Sequence, residues 1–278
     1  MANFLRTCPS MRLILFTLTV LAANFIVKAA SVDTLSIATT YLDSPENVVV
    51  ISPDISAERQ CPSVYLLNGH SGNHLSWMNI RKDLPELADK YGFFIIMPDG
   101  RNSWYWDSPL DSTMQMESFI TLDLVPYIDN GYNTAKNPEK RAVSGLSMGG
   151  HGAMWLAFRH PEIWQNVGAM SGGLDIRPFP ENWNMKDRLG AKSENEQLWN
   201  DHTVINLVDE VQPDYYNITF DCGTDDFFFD VNNNMHSALM EAGIKHDYTV
   251  RPGAHTSDYW ANSILYHLLY FDQNFKNK

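Results

Sequence analysis

Hydrophobic and polar positions along the chain fall into two regimes. Near the start they alternate: Leu35, Ile37, Thr39 and Tyr41 share one face, and a Ser44-Pro45-Glu46-Asn47 turn separates them from an apolar run at 48–51. That is the pattern of a half-buried antiparallel strand pair. From residue 64 onward the alternation stops. Short, mostly apolar runs stand at 64–67, 93–97, 141–144, 167–170, 216–220 and 248–250. Helical spacing fills the intervals at 76–90, 116–128, 148–159 and 231–242, and a last helix is expected at 259–275. Strands without alternation are buried on both faces, and strand alternating with helix builds a mostly parallel sheet covered on both sides. The expected fold is therefore α/β: a mostly parallel central sheet flanked by helices, with an antiparallel N-terminal strand pair. The connection over 172–214 is far longer than such folds need, and it carries Trp183 and Trp199. Loops of that length are functional or hold structure of their own, so a small helical cap is expected there.

The first residues follow a different logic. Arg6 and Arg12 precede a run at 13–27 that is apolar except for Thr17, Thr19 and Asn24. Fifteen helical residues rise only ~22 Å, short of the ~30 Å hydrocarbon core of a bilayer. Val27 and Ala29 place small side chains at the −3 and −1 positions of a cleavage site. Residues 1–29 read as a secretory signal peptide, and 30–278 as one domain, secreted or periplasmic and free of the membrane once the leader is removed. Cys8 precedes the apolar run, which argues against a lipoprotein attachment site. In the remainder only Cys61 and Cys222 are left, one beginning a predicted strand and the other ending one. Those positions lie at opposite edges of a parallel sheet, too far apart for a disulfide, so both are expected as free or buried thiols.

Charge narrows the partners. The chain carries −13, and because the leader holds three bases and no acid, the remainder carries −16. Such a body repels phosphate backbones, and no basic cluster offsets it, so nucleic-acid binding is excluded. The 44% hydrophobic and 19% charged composition is that of a globular protein. The Asn217-Ile218-Thr219 glycosylation pattern falls in a predicted core strand and is read as chance.

The chemistry-bearing feature is Gly145-Leu146-Ser147-Met148-Gly149-Gly150, set between a predicted strand and a predicted helix. A serine on a tight strand-to-helix turn needs small residues two positions to either side, because the backbone folds back on itself. Its Oγ then projects from the C-terminal edge of the sheet, and the next backbone N–H, that of Met148, stands at a helix start where it can face an oxyanion. Ser147 is the expected nucleophile. A serine needs a histidine to accept its proton. His236 and His267 lie within predicted helices and His246 before a strand, whereas His255 follows the strand at 248–251, at the same sheet edge as Ser147. His255 is the expected base. The orienting acid should follow the preceding strand, where Asp221, Asp225, Asp226 and Asp230 crowd together, and the pattern alone leaves Asp225 and Asp226 open.

At this point the chain resembles a known group. Gly145-Leu146-Ser147-Met148-Gly149-Gly150-His151-Gly152-Ala153 is similar to the esterases that include S-formylglutathione hydrolases, tributyrin-type esterases, feruloyl and acetyl-xylan esterases and bacterial mycolyltransferases. So are Tyr65-Leu66-Leu67-Asn68-Gly69, Met97-Pro98-Asp99-Gly100, Asn102-Ser103-Trp104-Tyr105, Cys222-Gly223-Thr224-Asp225-Asp226 and Gly253-Ala254-His255. The resemblance implies the α/β-hydrolase fold and makes Asp226 the triad acid. It places the second oxyanion donor on the backbone N–H of His70, after an Asn68-Gly69 pair where relatives carry His-Gly or Asp-Gly. The change alters a side chain and not the donating amide. It also makes Trp104 and Tyr105 substrate-pocket candidates. The implied reaction is acyl transfer on a small-molecule or glycan ester, needing no cofactor and no metal; Asp99, Asp107 and Asp111 are read as loop acids and not as calcium ligands. Export favours short-chain or acetyl- and feruloyl-type carbohydrate esters over the cytosolic S-formylglutathione. Acyl transfer to a sugar, as mycolyltransferases perform it, differs only in what deacylates the enzyme. A non-catalytic binding module on this fold would have lost a triad member, and here candidates for all three remain.

Overall fold

The structure is a computed structural model, and it describes residues 29–276. The signal peptide expected over 1–29 lies, save its last residue, outside the described residues. Eight strands form one sheet in the order β1 (Ser31–Ile37), β2 (Glu46–Ser52), β4 (Phe94–Pro98), β3 (Ser63–Leu67), β5 (Arg141–Leu146), β6 (Asn166–Met170), β7 (Asn217–Gly223) and β8 (Asp247–Arg251). Only the β1–β2 and β2–β4 pairings are antiparallel; the rest are parallel. The expected α/β architecture, with its antiparallel opening pair, is what the chain adopts.

The unbroken apolar runs are explained by two cores, one on each face. Val48, Val50, Tyr65, Leu67, Phe94 and Ile96 point to one side, and their sequence neighbours Val49, Ile51, Val64, Leu66, Ile95 and Met97 to the other. Successive strand residues face opposite ways, so a strand covered on both sides must be apolar at every position. The second face is covered by α1 (Ser76–Ile80), α2 (Leu84–Tyr91) and the C-terminal helix α9 (Ser257–Lys276), through Trp77, Leu84, Leu87, Ile264, Leu268 and Phe271. The first is covered by α3 (Met116–Ser118), α4 (Val125–Gly131), α5 (Met148–Arg159) and α8 (Phe229–Glu241). α5 is buried from Met148 to Phe158. Buried along that whole length, it has protein on every side.

Beyond shifts of one to three residues at element ends, three elements depart from the pattern. The helix expected over 76–90 is two helices, because Pro85 starts a new first turn and Arg81 is extended. The helix expected over 116–128 passes from α3 through a π turn at Phe119–Leu124 into α4. The widened turn ends two residues before Pro126, which has no N–H to return to the helix. β1 ends at Ile37 and not at Tyr41, because the Thr39 side chain donates to Asp123 at 2.6 Å and accepts the Tyr41 amide at 3.1 Å, which turns the chain away from the sheet. Cys61 precedes β3 and Cys222 lies in β7; both are buried and free. Asn217 opens β7 with its side chain donating to Asn166.

The segment 172–214 carries α6 (Met185–Leu189), α7 (Glu196–Asp201) and a 3-10 turn at Val204–Glu210. Its Met185, Leu189, Trp199 and Val204 belong to the first core, and the Trp199 indole donates to the Gly190 carbonyl at 3.0 Å. Among the described residues no helix is long and apolar enough to cross a membrane.

Candidate active site

Strand order reverses at β3, between β4 and β5, and clefts in open α/β sheets form at the carboxyl ends of strands beside such a reversal. Ser147 stands there, between β5 and α5, with φ 56° and ψ −119°. A left-handed backbone at a residue with a side chain is strained and is held by its surroundings. The surroundings explain the flanking glycines. A Cβ on Gly145 would lie 2.3 Å from the Gly149 carbonyl oxygen, and one on Gly149 would lie 2.4 Å from that of Leu67. The turn closes only if both positions lack side chains.

Two loops bring the other groups to Ser147. His255, four residues beyond β8, places Nε2 2.9 Å from Ser147 Oγ. Its Nδ1 lies 3.0 and 2.9 Å from the two carboxylate oxygens of Asp226, which follows β7. A carboxylate only accepts, so Nδ1 carries the proton and Nε2 is free to accept from the serine hydroxyl. Asp226 also accepts the Phe228 amide at 2.8 Å and is 5% exposed. Asp225 is exposed, and its backbone instead donates to the Gly253 carbonyl at 2.8 Å. With the Thr224 amide on Arg251 (2.9 Å), that bond ties the acid's loop to the histidine's loop and fixes their separation. Geometry therefore separates the two aspartates that spacing could not.

A second Ser, Asp, His set occurs in the same chain order. Ser144 Oγ lies 2.9 Å from His267 Nδ1, and His267 Nε2 lies 2.9 Å from Asp221. All three are at most 2% exposed, and Ser263 and Arg251 also engage Asp221. Burial alone would raise the Asp221 carboxyl, but the bonds from His267, Arg251 and Ser263 hold it below the ordinary value. This set pins α9 to the sheet, and none of its three residues lines the cavity that Ser147 and His255 line.

That cavity is about 380 Å³ and is lined by Gly69, His70, Ser71, Gly72, Ser76, Ile80, Leu146, Ser147, Trp183, Phe227, His255 and Trp260. No Lys, Arg, Asp or Glu lines it. The Phe227 ring lies 4.2 Å from that of His255, and Trp260 meets His255 edge-on at 4.8 Å and 89°. Trp183 stacks on Phe227 at 5.3 Å. These three aromatics escaped the reading of the sequence. Only Trp183 carried a signal, as one of two tryptophans in an over-long connection.

Of the two expected oxyanion donors, His70 lines the cavity and Met148 directly follows Ser147. Met148 opens α5, where the first amides have no intrahelical acceptor. His70 lies just past β3 in a turn closed by the Gly72 amide on the Gly69 carbonyl at 3.0 Å. Asn68 is buried: its side-chain oxygen accepts the Gly100 amide at 2.9 Å and its Nδ2 donates to the Gly69 carbonyl at 2.9 Å.

Trp104 and Tyr105, expected at the pocket, do not line it. They are 1% and 0% exposed, with consecutive left-handed backbones at φ 59° and 63°. That turn drives both rings inward. Tyr105 packs against Gly100 and Gly152, and Trp104 stacks on Trp106 at 5.6 Å and donates from its indole N–H to the Trp183 carbonyl at 3.0 Å. His151 lies beside them, held neutral by burial, which pushes its pKa down to about 3; it donates to the Gly173 carbonyl and accepts from the Trp106 indole. Among the described residues no group of three or more His, Cys, Asp or Glu is placed to hold a metal ion. Asp107 accepts from Ser118, and Asp111 from Thr113 and Arg188.

The model of the family named Esterase matches residues 39–271. The chain belongs to that family. It is a carboxylic ester hydrolase, similar at 24% identity to an acetyl esterase of Caldicellulosiruptor saccharolyticus, over 87% of this chain and 93% of that one. Among solved structures, a ferulic acid esterase superposes with TM-score 0.76 at 26% identity, covering 89% of this esterase and 99% of the other. The fluorophosphonate-binding serine hydrolase F of Staphylococcus aureus shares the fold with TM-score 0.78 at 18% identity, over 87% and 98% of the two chains.

Proposed function

We propose that this esterase is an exported serine hydrolase cleaving neutral, short or aryl acyl esters of carbohydrates through Ser147, His255 and Asp226. The observation that carries the reading is the 2.9 Å approach of Ser147 Oγ to a histidine already oriented by a buried carboxylate, at the head of an uncharged cavity. In this reading His255 Nε2 takes the hydroxyl proton as Ser147 attacks the ester carbonyl. The amides of Met148 and His70 bind the oxyanion, and Asp226 stabilises the imidazolium. His255 then protonates the leaving alcohol, and water deacylates the enzyme by the same route.

The cavity supports this substrate class. A lining without cations gives nothing to pair with the carboxylates of a glutathione ester. About 380 Å³ is near the lower end for ligand sites, enough for an acetyl or phenylpropanoid acyl group but not for a long lipid chain. The acetyl esterase and ferulic acid esterase relatives point the same way. Export rests on the basic and apolar leader over 1–29.

The test is hydrolysis of p-nitrophenyl acetate, methyl ferulate and S-formylglutathione by residues 30–278, with Ser147→Ala alongside. Turnover of the first two that vanishes in the variant supports the reading. Equal activity in both proteins removes Ser147 as the nucleophile, and a preference for S-formylglutathione overturns the substrate class. Expression of the full chain in a bacterial host, with mass spectrometry of the mature N-terminus, tests export: Ala30 is the expected first residue.

A further inference from the structure

From the segment 172–214, the dipeptide Trp183-Asn184 reaches both the cavity wall and the His70 turn. Trp183 and Asn184 are consecutive left-handed residues, φ 50° and 58°. Such backbone persists only where contacts hold it, and Asn tolerates it better than most residues. The Trp183 carbonyl is held by the Trp104 indole. The Asn184 side chain is bonded at both ends. Its Nδ2 donates to Asp187 Oδ2 at 2.8 Å. Since a carboxylate only accepts, the amide oxygen is the end presented to His70, whose Nε2 lies 2.9 Å away. Nε2 therefore carries the proton, and Nδ1 accepts from the Ser71 hydroxyl at 3.0 Å. The next amide, that of Ser71, donates to Asn102 Oδ1 at 2.7 Å.

We infer that Asn184 is a positioning residue for acyl transfer: acting through the His70 side chain, it sets the aim of the His70 backbone N–H. This rests on the esterase reading above. An oxyanion donor is useful only when its nitrogen lies about 2.7–3.1 Å from the position the oxyanion will occupy, with the N–H aimed at it. The turn carrying this one is short, with Ser71 itself left-handed at φ 62°. A small rotation of the 69–70 peptide would turn the N–H aside at little cost. Clamping the imidazole at both nitrogens removes that freedom, and one of the clamps comes from the 172–214 segment. The same dipeptide puts the Trp183 ring into the cavity wall. Substrate wall and oxyanion donor are thus set together, and turnover requires that segment to be docked.

The deciding variant is Asn184→Gly, which keeps the left-handed backbone and removes only the side chain. kcat for p-nitrophenyl acetate is expected to fall about tenfold, less than the ~10²–10³-fold that follows removal of a whole donor. KM should stay within about twofold, the signature of an interaction made in the transition state. The rate of fluorophosphonate labelling at Ser147 should fall with kcat. His70→Ala should lose a similar factor, and the double variant should be no slower than His70→Ala alone, because the two residues act in series. Unchanged kcat and labelling in Asn184→Gly, additive losses in the double variant, or a rise in KM alone would each overturn the inference. If Asn184→Gly also lowers Tm, Asp187→Ala decides: it removes only the acceptor that orients the Asn184 amide, and an unchanged labelling rate there counts against the proposal. Failure of the esterase reading has a different signature, since Ser147 would then resist labelling in the parent protein or Ser147→Ala would keep the parent's activity.

Discussion

The hydroxyl of Tyr105 donates to the backbone carbonyl of Asn68 across 3.1 Å, and it lies 3.2 Å from the same residue's side-chain oxygen, with both residues out of contact with water. Asn68 is two residues before the proposed oxyanion donor, so a tyrosine that does not line the cavity holds that turn from below. Burial pushes its phenol well above the ordinary tyrosine value, so it stays a donor at any working pH. Tyr105→Phe keeps the ring and removes the bond. The expected result is a loss of about 1–2 kcal/mol in denaturant unfolding, typical of a buried acceptor left unmet. kcat should fall and KM should hold. Gly152→Ala attacks the same contact from the other side, because its Cβ would lie 2.2 Å from the Tyr105 ring; a cost of about 1–3 kcal/mol is expected on the same measurement.

The two adjacent acids should part company sharply. Asp226→Asn leaves a side chain of the same shape but offers His255 the wrong partner, and by analogy with other triads kcat/KM should fall about 10³–10⁴-fold. Asp225→Asn changes an exposed side chain whose backbone bond to Gly253 survives, so activity should stay within about twofold, in line with surface substitutions elsewhere. Steady-state hydrolysis of p-nitrophenyl acetate by the two variants checks both.

This pair also marks where the sequence stops being legible. Strands β3 to β7 could be read because burial on both faces leaves unbroken apolar runs, and the turn at Ser147 because two backbone contacts forbid any Cβ at Gly145 and Gly149. Asp225 and Asp226 could not be separated by pattern: which one faces His255 depends on the Asp225 amide reaching Gly253, a long-range bond with no local signature. The same holds for Trp104 and Tyr105. A buried and a pocket-lining aromatic are the same letters, and the left-handed turn that drives these two inward is not one their residue types favour. Phe227 and Trp260 enter the cavity because loops from β7 and β8 converge there.

Stability should depend on pH through Glu117. Burial would raise its carboxyl, yet bonds from His160 (2.7 Å), Arg159 (2.8 Å) and the Trp155 indole (2.8 Å) hold it below the ordinary glutamate value. Burial would likewise lower His160, but Glu117 raises it above the ordinary histidine value. A raised histidine stabilises the fold fully below its unfolded value and loses that contribution as pH rises through the folded one. A depressed carboxyl does the reverse, losing its contribution as pH falls through its own folded value. The pair is therefore most stabilising in the mildly acidic window between. His160→Gln should lower Tm at pH 5.5 by about 2–4 °C, as a loss near 1 kcal/mol does in a protein of this size, and by less at pH 8.5. A Tm difference that grows toward alkaline pH would show the sign to be wrong.

Phe227 should govern which acyl groups are accepted. Its ring is 50% exposed, so it contributes little to the core, yet it lies 4.2 Å from the His255 ring and 5.3 Å from that of Trp183. An exposed aromatic kept at a cavity mouth is a surface for another flat group to stack on, and such pairs contribute about 0.5–1.5 kcal/mol beyond area burial. Phe227→Leu keeps the apolar bulk and removes the flat face. For methyl ferulate, kcat/KM should fall by about twofold to thirteenfold, which is that stacking range expressed as a rate. For p-nitrophenyl acetate the acyl group has no ring to stack, and its kcat/KM should move less. Tm should be nearly unchanged, since the lost contact is at the surface. Equal losses on both esters would mean that Phe227 acts instead by holding the His255 imidazole, and the ratio of the two kcat/KM values separates those roles.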